Sequence, residues 1–478
     1  MSKTELVIVP APGMGHLLST VEFAKLIVQT NPDISIVVLI YHIPQFEPTK
    51  IQSYIEFQSR ELDSHQIDFY TLPPLSNPPD PTDPAFYGNM IQLQHPLVKK
   101  AVQDRKSKPA AFVLDLMNAS MIDVANEFDI PSYIYFTSGA NFLDAIFHFQ
   151  EIADEQGIDA VTGLTDDPES VSDLPGFMNP VPTKVLPMLL VEKDAVWPPF
   201  FFNLAKKFRE AKGILVNSFM ELESFTLQAL QNQHNVPTIY PVGPLLSLES
   251  RGDSKSSSDE DSILSWLDGQ PKSSVVFLCF GSLGFFDAKQ VKEIAEGLDR
   301  SGHKFLWSLR KPVQVTFGVA PSENMIFEDA LPEGFMDRTA HRGKIIPWAP
   351  QAAVLAHQAI GGFVSHCGWN SILESIWFGV PLATWPMYSE QQLNAFTLVK
   401  ELGLAVEIKM DYRWDFKKGN CLVKAEEVEN GVRKLMNMDD KMRGRVREIS
   451  ELSRKVLQTD DGSSRVWLTR FIAEITEH

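Results

Sequence analysis

Short apolar runs alternate with amphipathic stretches along the first half of the chain. Leu6–Val9 is an uninterrupted apolar run, and a stretch with apolar side chains at helical spacing, 17–28, follows it. Further apolar runs that predict strands lie at 34–40, 67–72, 110–114 and 132–136, with helical stretches between them. Because such strands are buried on both faces, the alternation predicts a parallel sheet with right-handed crossovers.

A second series of the same kind begins near residue 262. Its predicted strands are 275–280, 305–309, 344–347, 362–365 and 381–384. Between the two series, residues 246–261 carry Ser, Asp, Glu, Lys and Gly in place of apolar residues, which is typical of a linker. The sequence predicts an α/β protein of two Rossmann-like domains, 1–245 and 262–455, that face each other across a cleft. Residues 456–478 are expected to form a helix that packs back on the N-terminal domain.

Composition narrows the range of partners. The formal net charge of −18 argues against a nucleic-acid or anionic-membrane surface, since both need a basic footprint. The chain lacks an uncharged apolar run of about 18 residues, so no membrane span is expected. An odd number of cysteines without CxxC spacing, and no secretory signal, favour a cytoplasmic protein with reduced thiols. We expect a monomer that binds small molecules, and an anionic ligand would have to be held locally.

The stretch from Trp348 to Gln392 carries the strongest chemical signal. A predicted strand ends at Ser365, a glycine-containing turn follows, and a helix opens near Asn370. A helix start presents unpaired N–H groups and the positive end of the helix dipole, which suits a diphosphate. The S-x-x-E spacing of Ser371 and Glu374 also fits a capping box, which needs no ligand. The sequence by itself leaves both interpretations open.

Other side chains in this stretch match the remaining parts of a nucleotide sugar. Trp348 offers a flat face for a base, Glu374 can accept hydrogen bonds from a ribose diol, and Glu390–Gln391 form a polar pair for sugar hydroxyls. Together these residues resemble the signature box of the plant family 1 UDP-glycosyltransferases. The resemblance extends over essentially the whole chain, including Pro12–His16, Phe136–Ala140 and Phe280–Ser282.

The resemblance implies a GT-B type fold and a set of donor contacts. It implies uracil stacking on Trp348, pyrophosphate contacts from His366 and Asn370, and ribose contacts from Glu374. The full set of UDP contacts that it implies is Ser282, Trp348, Ala349, Gln351, His366, Gly368, Asn370, Ser371 and Glu374. Trp369, Glu390 and Gln391 match sugar-binding positions, and glutamine at 391 is associated with glucose.

His16 follows a glycine turn at the end of the first predicted strand and is the candidate general base. Neutral histidine suits proton removal from a hydroxyl at cellular pH. In the family, an aspartate at the end of a later strand orients this histidine, and Asp115 matches that position. From the sequence alone, Asp115 is equally well a helix cap. The resemblance implies no metal.

These features predict inverting transfer of glucose from UDP-glucose to a hydroxyl of a small apolar acceptor such as a flavonoid, another phenol or a terpenoid, giving a β-glucoside. The alternatives are a nucleotide-sugar-binding protein without transferase activity and a nicotinamide-dependent oxidoreductase; Gly13-x-Gly15 lacks the third glycine that the latter requires. Met117–Asn118 and Ser389 depart from the commonest family pattern. Candidate acceptor residues are Phe86, Tyr87, Met90, Phe142, Ile146, Phe147, Met188, Leu190, Trp197 and Phe200.

Overall fold

Two parallel sheets organise the chain in the computed structural model, which describes residues 4–43, 48–193, 195–248, 257–310, 330–413 and 421–477. Two compact units can be distinguished. The described residues within 1–180, 189–247 and 455–478 form unit 1, and those within 181–188 and 248–454 form unit 2. Residues 181–188 thus cluster with unit 2, although they fall inside the predicted domain 1–245. Residues 249–256 of the predicted linker 246–261 lie outside the described residues.

The bounds of the elements are as follows. The strands are β1 (Thr4–Val9), β2 (Ile34–Ile40), β3 (Ile67–Thr71), β4 (Ala111–Asp115), β5 (Ser132–Phe136), β6 (Val171–Ser172), β7 (Val181–Pro182), β8 (Gly213–Val216), β9 (Thr238–Pro241), β10 (Val275–Cys279), β11 (Lys304–Ser308), β12 (Gly343–Ile346), β13 (Ile360–Ser365), β14 (Leu382–Thr384) and β15 (Ala405–Glu407). The α-helices are α1 (Met14–Thr30), α2 (Pro48–Glu61), α3 (Phe86–Gln103), α4 (Ile122–Asn126), α5 (Ala140–Gln156), α6 (Ile158–Thr162), α7 (Met188–Val191), α8 (Trp197–Glu210), α9 (Ser224–Asn232), α10 (Ser257–Asp268), α11 (Ala288–Ser301), α12 (Phe335–Thr339), α13 (Gln351–Ala356), α14 (Trp369–Phe378), α15 (Gln391–Phe396), α16 (Ala425–Met436), α17 (Asp440–Gln458) and α18 (Ser463–Thr476).

The sheet of unit 1 has the order β3-β2-β1-β4-β5-β8-β9, and its neighbouring strands are parallel. The sheet of unit 2 has the order β12-β11-β10-β13-β14-β15 and is also parallel. Each strand predicted from an apolar run is present. The strands β8, β9 and β15 were not predicted, because Gly213, Pro241 and Glu407 at their ends shorten the apolar runs, and the two-residue strands β6 and β7 were not predicted either. The prediction of two Rossmann-like units is confirmed.

The last helix of the chain, α18, belongs to unit 1. Its Leu468, Phe471, Ile472 and Ile475 are buried in the same apolar core as side chains from β1, β2 and α1. Each fully buried side chain of this kind stabilises the fold by about 1.5–3 kcal/mol. The Ser464 hydroxyl donates a hydrogen bond of 2.6 Å to the carbonyl oxygen of Gly243, which fixes the start of the helix.

The N-terminus of helix α5 in unit 1 is occupied by the protein's own carboxylate. Glu223 is buried and accepts hydrogen bonds from the N–H groups of Ala140 (2.9 Å) and Asn141 (3.0 Å) and from the Ser218 hydroxyl. Burial raises the pKa of this carboxyl, and the three hydrogen bonds partly oppose that rise. A helix start filled in this way holds no external anion.

Removal of the Glu223 carboxylate is expected to destabilise unit 1. Glu223→Ala leaves three buried donors without an acceptor, and each such group costs about 1–3 kcal/mol. We expect the free energy of unfolding, measured by urea denaturation, to fall by about 3 kcal/mol or more. Glu223→Gln keeps one acceptor oxygen and should lose less. Equal stability of the Ala and Gln variants would contradict this account.

Candidate active site

In unit 1, the order of the strands brings His16 and Asp115 together. β1 and β4 are neighbours, with Val9 opposite Leu114, and the chain leaves their carboxyl ends in different directions. Gly13, with φ of 131°, allows the sharp turn that starts α1, and His16 lies in the first turn of that helix. Nδ1 of His16 lies 2.8 Å from Oδ2 of Asp115. Such a crevice beyond the strand ends is the usual ligand site of a doubly wound sheet.

The two members of this pair differ in exposure. The Asp115 side chain is completely buried, whereas the His16 side chain is 35% exposed. The second carboxylate oxygen of Asp115 accepts the N–H of Met117 at 3.0 Å and caps a short 3-10 helix, Leu116–Met121. The carboxylate therefore serves both as the helix cap and as the partner of His16, the two interpretations that the sequence left open. Thr137 Oγ1 lies 3.1 Å from the same ring nitrogen.

A buried polar pair supports the loop beneath Asp115. Asn118 donates a hydrogen bond of 3.1 Å to the carbonyl oxygen of Val9, and its side-chain oxygen accepts one of 2.7 Å from the Tyr41 hydroxyl. Burial raises the pKa of Tyr41, and the charges of Tyr87 and Asp115 act in the same direction. Tyr41 therefore stays a neutral donor. Asn118, a departure from the family pattern, ties the end of β4 to the end of β1.

In unit 2, the turn between β13 and α14 is held in a strained conformation. Cys367 has φ of 63°, in the left-handed region, and its N–H donates to Ser365 Oγ at 3.1 Å. Asn394 donates a hydrogen bond of 3.0 Å to the carbonyl oxygen of Cys367. Such backbone strain persists where the surroundings fix it, often at functional sites.

The structure excludes the capping-box interpretation of this helix start. Gly368 is the N-cap of α14, so Ser371 lies inside the first turn rather than at the cap position, and the capping-box interpretation is wrong. Gln351 Nε2 instead donates to both Ser371 Oγ (2.9 Å) and Glu374 Oε2 (2.7 Å). Three side chains predicted to contact UDP are thus joined across α13 and α14, and Trp348 lies half-buried just before α13.

His366 is wedged between two glycines. A Cβ atom on Gly281 would lie 2.6 Å from its Nε2, and one on Gly368 would lie 2.5 Å from it. The imidazole is buried, and its Nδ1 has no hydrogen-bond partner. Burial, reinforced by the charge of Arg310, lowers the pKa of His366 to about 4. The ring is therefore neutral near pH 7 and can act as a hydrogen-bond donor but not as a cation.

The predicted sugar-binding residues follow β14 and begin α15. Gln391 Oε1 accepts two backbone N–H groups, from Met387 at 2.9 Å and from Tyr388 at 3.0 Å. This arrangement fixes which end of the amide is the acceptor, and Nε2 remains as the donor end. Glu390 is the half-buried N-cap residue of α15, and Trp369 is almost completely buried.

The candidate acceptor residues fall into separate environments. Phe86 and Phe200 are half-buried, and Phe200 lies 6.2 Å from Tyr87 between ring centroids. Phe142 is buried against Phe201. Phe147 is completely buried, with the guanidinium of Arg209 4.4 Å from its ring centroid. Met188, half-buried, lies in the 181–188 segment of unit 2.

Two residues near these sites were not predicted from the sequence. Thr137 belongs to the Phe136–Ala140 motif but was not assigned a role. Arg310 follows β11, and its Nη1 donates a hydrogen bond to the carbonyl oxygen of Ser282. The sequence feature that could have indicated Arg310 is a basic residue directly after a buried strand in an acidic chain.

The described residues lack a metal-binding cluster and a membrane-spanning helix. No group of three or more His, Cys, Asp and Glu side chains there could hold a metal ion. Nor does that part of the chain contain a helix whose length and apolar character would let it cross a membrane.

The contact between Gly281 and His366 can be tested with a matched pair of glycines. Gly281 and Gly302 have φ of 75° and 74°, but nothing lies within 4 Å of a Cβ on Gly302. Gly302→Ala should therefore cost only the left-handed backbone strain, about 1–2 kcal/mol. Gly281→Ala should cost about 1–3 kcal/mol more, because the added methyl group meets the imidazole. Equal losses of unfolding free energy in urea would contradict the packing described for His366.

Comparisons with known proteins identify the family of this chain. A family model described as "UDP-glucoronosyl and UDP-glucosyl transferase" matches residues 229–439. UDP-glycosyltransferase 71A15 of Malus domestica is 49% identical, over 98% of this chain and 99% of its own. Putative UDP-glucose flavonoid 3-O-glucosyltransferase 3 of Fragaria ananassa is 48% identical, over 98% of this chain and 99% of its own. The crystal structure of Medicago truncatula UGT71G1 complexed with UDP-glucose superimposes with a TM-score of 0.89 at 40% identity, covering 99% of this chain and 98% of that chain. The chain belongs to the plant family 1 UDP-glycosyltransferases.

Proposed function

We propose that this UDP-glycosyltransferase transfers glucose from UDP-glucose to a hydroxyl of a small, apolar, aromatic acceptor and inverts the anomeric centre. The observation that carries the proposal is the hydrogen-bonded pair of His16 and Asp115 at the central strand ends of unit 1. The linked residues Gln351, Ser371 and Glu374 support donor binding in unit 2. A relative of known structure was crystallised with UDP-glucose, which supports that donor.

His16 acts as the general base. Because Asp115 accepts a hydrogen bond at Nδ1, it favours the tautomer in which Nε2 carries the lone pair. Nε2 removes the proton of the acceptor hydroxyl as that oxygen attacks the anomeric carbon, and the buried carboxylate stabilises the imidazolium that forms. The bond between the anomeric carbon and the β-phosphate oxygen breaks, and its electron pair stays on the departing UDP. A single displacement converts an α-linked donor into a β-glucoside.

Oriented hydrogen-bond donors, rather than the negative net charge of the protein, hold the diphosphate of the donor. The helix start of α14 and the neutral His366 can donate hydrogen bonds to the diphosphate. Donors fixed in position before the reaction stabilise the charge that grows on the leaving group, an effect worth several kcal/mol. Glu374, already bonded to Gln351, is suited to ribose hydroxyls, because its carboxylate would repel a phosphate.

A cluster of aromatic side chains in unit 1 supports a flat, apolar acceptor. Tyr87 lies 6.4 Å from Trp197 and 6.2 Å from Phe200 between ring centroids. Burial and, to a lesser extent, the Asp115 carboxylate raise the pKa of Tyr87, so this aromatic group is within electrostatic reach of the catalytic pair. Phe147 is completely buried, with the Arg209 guanidinium over its ring, so we assign it a packing role rather than an acceptor contact. The Fragaria ananassa relative is named as a flavonoid glucosyltransferase, which supports a flavonoid or another phenol as the acceptor.

A panel assay tests the reaction itself. The protein is incubated with UDP-glucose and a mixture of flavonoids, simple phenols and terpenoid alcohols, and products are identified by mass. A product heavier by one hexosyl group, released as a β-glucoside by a β-specific glucosidase, is expected. Release of UDP without any glycosylated product would indicate hydrolysis and would contradict the proposal.

Loss of the imidazole should abolish most of the transfer. His16→Ala is expected to lower kcat by about 10² or more, because general-base catalysis contributes at least that factor. Asp115→Asn keeps the shape of the side chain but no longer favours the correct tautomer, so it should also lower kcat strongly. His65→Ala, at an exposed histidine of the same unit, is the control and should retain the wild-type rate. Unchanged turnover in His16→Ala would remove His16 from the mechanism.

The orientation of the Gln391 amide predicts a selective effect on the sugar. A glutamate at 391 can still accept the N–H groups of Met387 and Tyr388, but it cannot donate to a sugar hydroxyl. Gln391→Glu should therefore reduce kcat/KM for UDP-glucose by about 10-fold or more, the value of a lost hydrogen bond. Affinity for UDP, measured by calorimetry, should fall by a smaller factor, because the added negative charge acts on both nucleotides but only UDP-glucose also loses a hydrogen bond. An equal loss of affinity for UDP would show that the variant disturbs the whole donor site.

A further inference from the structure

Arg310 lies at the same edge of the sheet as the donor-binding residues of unit 2. It follows β11, which pairs with β10 in parallel so that Leu278 lies opposite Trp307. Beyond β10, the chain turns through Gly281 to Ser282, and the carbonyl oxygen of Ser282 accepts a hydrogen bond from Arg310 Nη1. Gly281 is also the residue that packs against the His366 imidazole. This hydrogen bond fixes Arg310 against the Gly281–Ser282 loop. The same loop contacts His366, which together with the helix start of α14 forms the proposed diphosphate cradle.

The charge of Arg310 acts on groups from three separate segments of unit 2. It contributes to the lowered pKa of His366, where burial is the larger cause. Burial raises the pKa of both the Cys279 thiol and the Tyr388 phenol, and Arg310 opposes the rise in each case. Cys279 ends β10, His366 follows β13, and Tyr388 lies just before α15. The guanidinium is therefore within electrostatic reach of these three groups, which follow or end strands at the edge where the donor is proposed to bind.

The other polar groups of the cradle supply no full positive charge. His366 is neutral near pH 7, and Gln351, Asn370 and Ser371 are uncharged. Glu374 and Glu390 are acidic, and the protein as a whole carries a net charge of −18. A helix start contributes only about half a positive charge. When a diphosphate is bound, the donor site carries a marked excess of negative charge unless a cation compensates it.

A guanidinium can supply that charge without giving up its structural bond. It has five N–H donors in a planar fork, and Ser282 takes up one of them. Paired N–H groups of this kind match the geometry of phosphate oxygens.

We propose that Arg310 binds the β-phosphate of the donor and stabilises the charge that this phosphate gains during transfer. The inference rests on the proposed function, since it concerns the same reaction. When the bond between the anomeric carbon and the β-phosphate oxygen breaks, the electron pair moves to that oxygen, and the proton of the acceptor passes to His16. Arg310 exchanges no proton; it provides positive charge beside the oxygen that becomes negative.

Calorimetry with nucleotides that differ only in phosphate number tests the contact. Arg310→Gln should reduce affinity for UDP by roughly 10- to 100-fold, as expected for a lost charge-assisted hydrogen bond, and should leave affinity for uridine unchanged. The loss for UMP should be smaller than that for UDP. Arg310→Lys, which keeps a charge and can still donate to Ser282, should retain part of the affinity for UDP. Arg300→Gln, at an exposed arginine of α11, is the matched control and should bind all three nucleotides like the wild type.

Transfer kinetics separate this inference from the proposed function. Arg310→Gln should lower kcat for UDP-glucose, and the fall should exceed the rise in KM. Equal losses of affinity for UDP, UMP and uridine would show that Arg310 only holds the Ser282 loop, and would overturn the inference. If the wild type transfers glucose and Arg310→Gln matches it in UDP affinity and kcat, the inference fails and the proposed function stands. If the wild type transfers no sugar but Arg310→Gln selectively loses UDP, the diphosphate contact is supported and the proposed function fails.

Discussion

The carboxyl ends of the two central strands in each parallel sheet are the positions on which both candidate sites depend. In unit 1 the chain leaves β1 and β4 in different directions, and His16 and Asp115 follow those strands. In unit 2 the same divergence occurs between β10 and β13, where Gly281 meets His366. A crossover sheet must open a crevice where its strand order reverses. Both units therefore place reactive or polar side chains where backbone geometry leaves room for a ligand.

The two units also illustrate two uses of a helix start. In unit 1 the N-terminus of α5 is filled by Glu223, which stabilises the fold and satisfies buried N–H groups. In unit 2 the N-terminus of α14 is capped by a glycine, and the nearby Ser371 and Glu374 are engaged with Gln351 instead. Both helices have a glycine at the N-cap, so what makes the start of α5 structural is the internal carboxylate of Glu223. In our proposal, the same local dipole stabilises the protein in unit 1 and binds the donor diphosphate in unit 2.

Neutral groups are held neutral by burial throughout these sites. The pKa of His366 is lowered to about 4, and those of Tyr41 and Tyr87 are raised, so each keeps its uncharged form near pH 7. Burial disfavours the charged form of any titratable group. Near pH 7 these side chains therefore keep one protonation state and can donate a hydrogen bond. An acidic protein can then bind an anionic donor through oriented dipoles and a localised cation, without a broad basic surface.

The sequence by itself determined the alternation of strands and helices, the family and the residue types of both candidate sites. It did so because buried parallel strands require continuous apolar runs, and because glycine turns and polar residues at strand ends are local features. It missed β8, β9 and β15, whose few residues gain stability only from neighbouring strands. Three matters depended on tertiary structure: that Asp115 both caps a helix and pairs with His16, that Gln351 bonds both Ser371 and Glu374, and that Arg310 reaches Ser282. Each involves groups from segments far apart in the chain, and only the packing of the sheet fixes the distance between them.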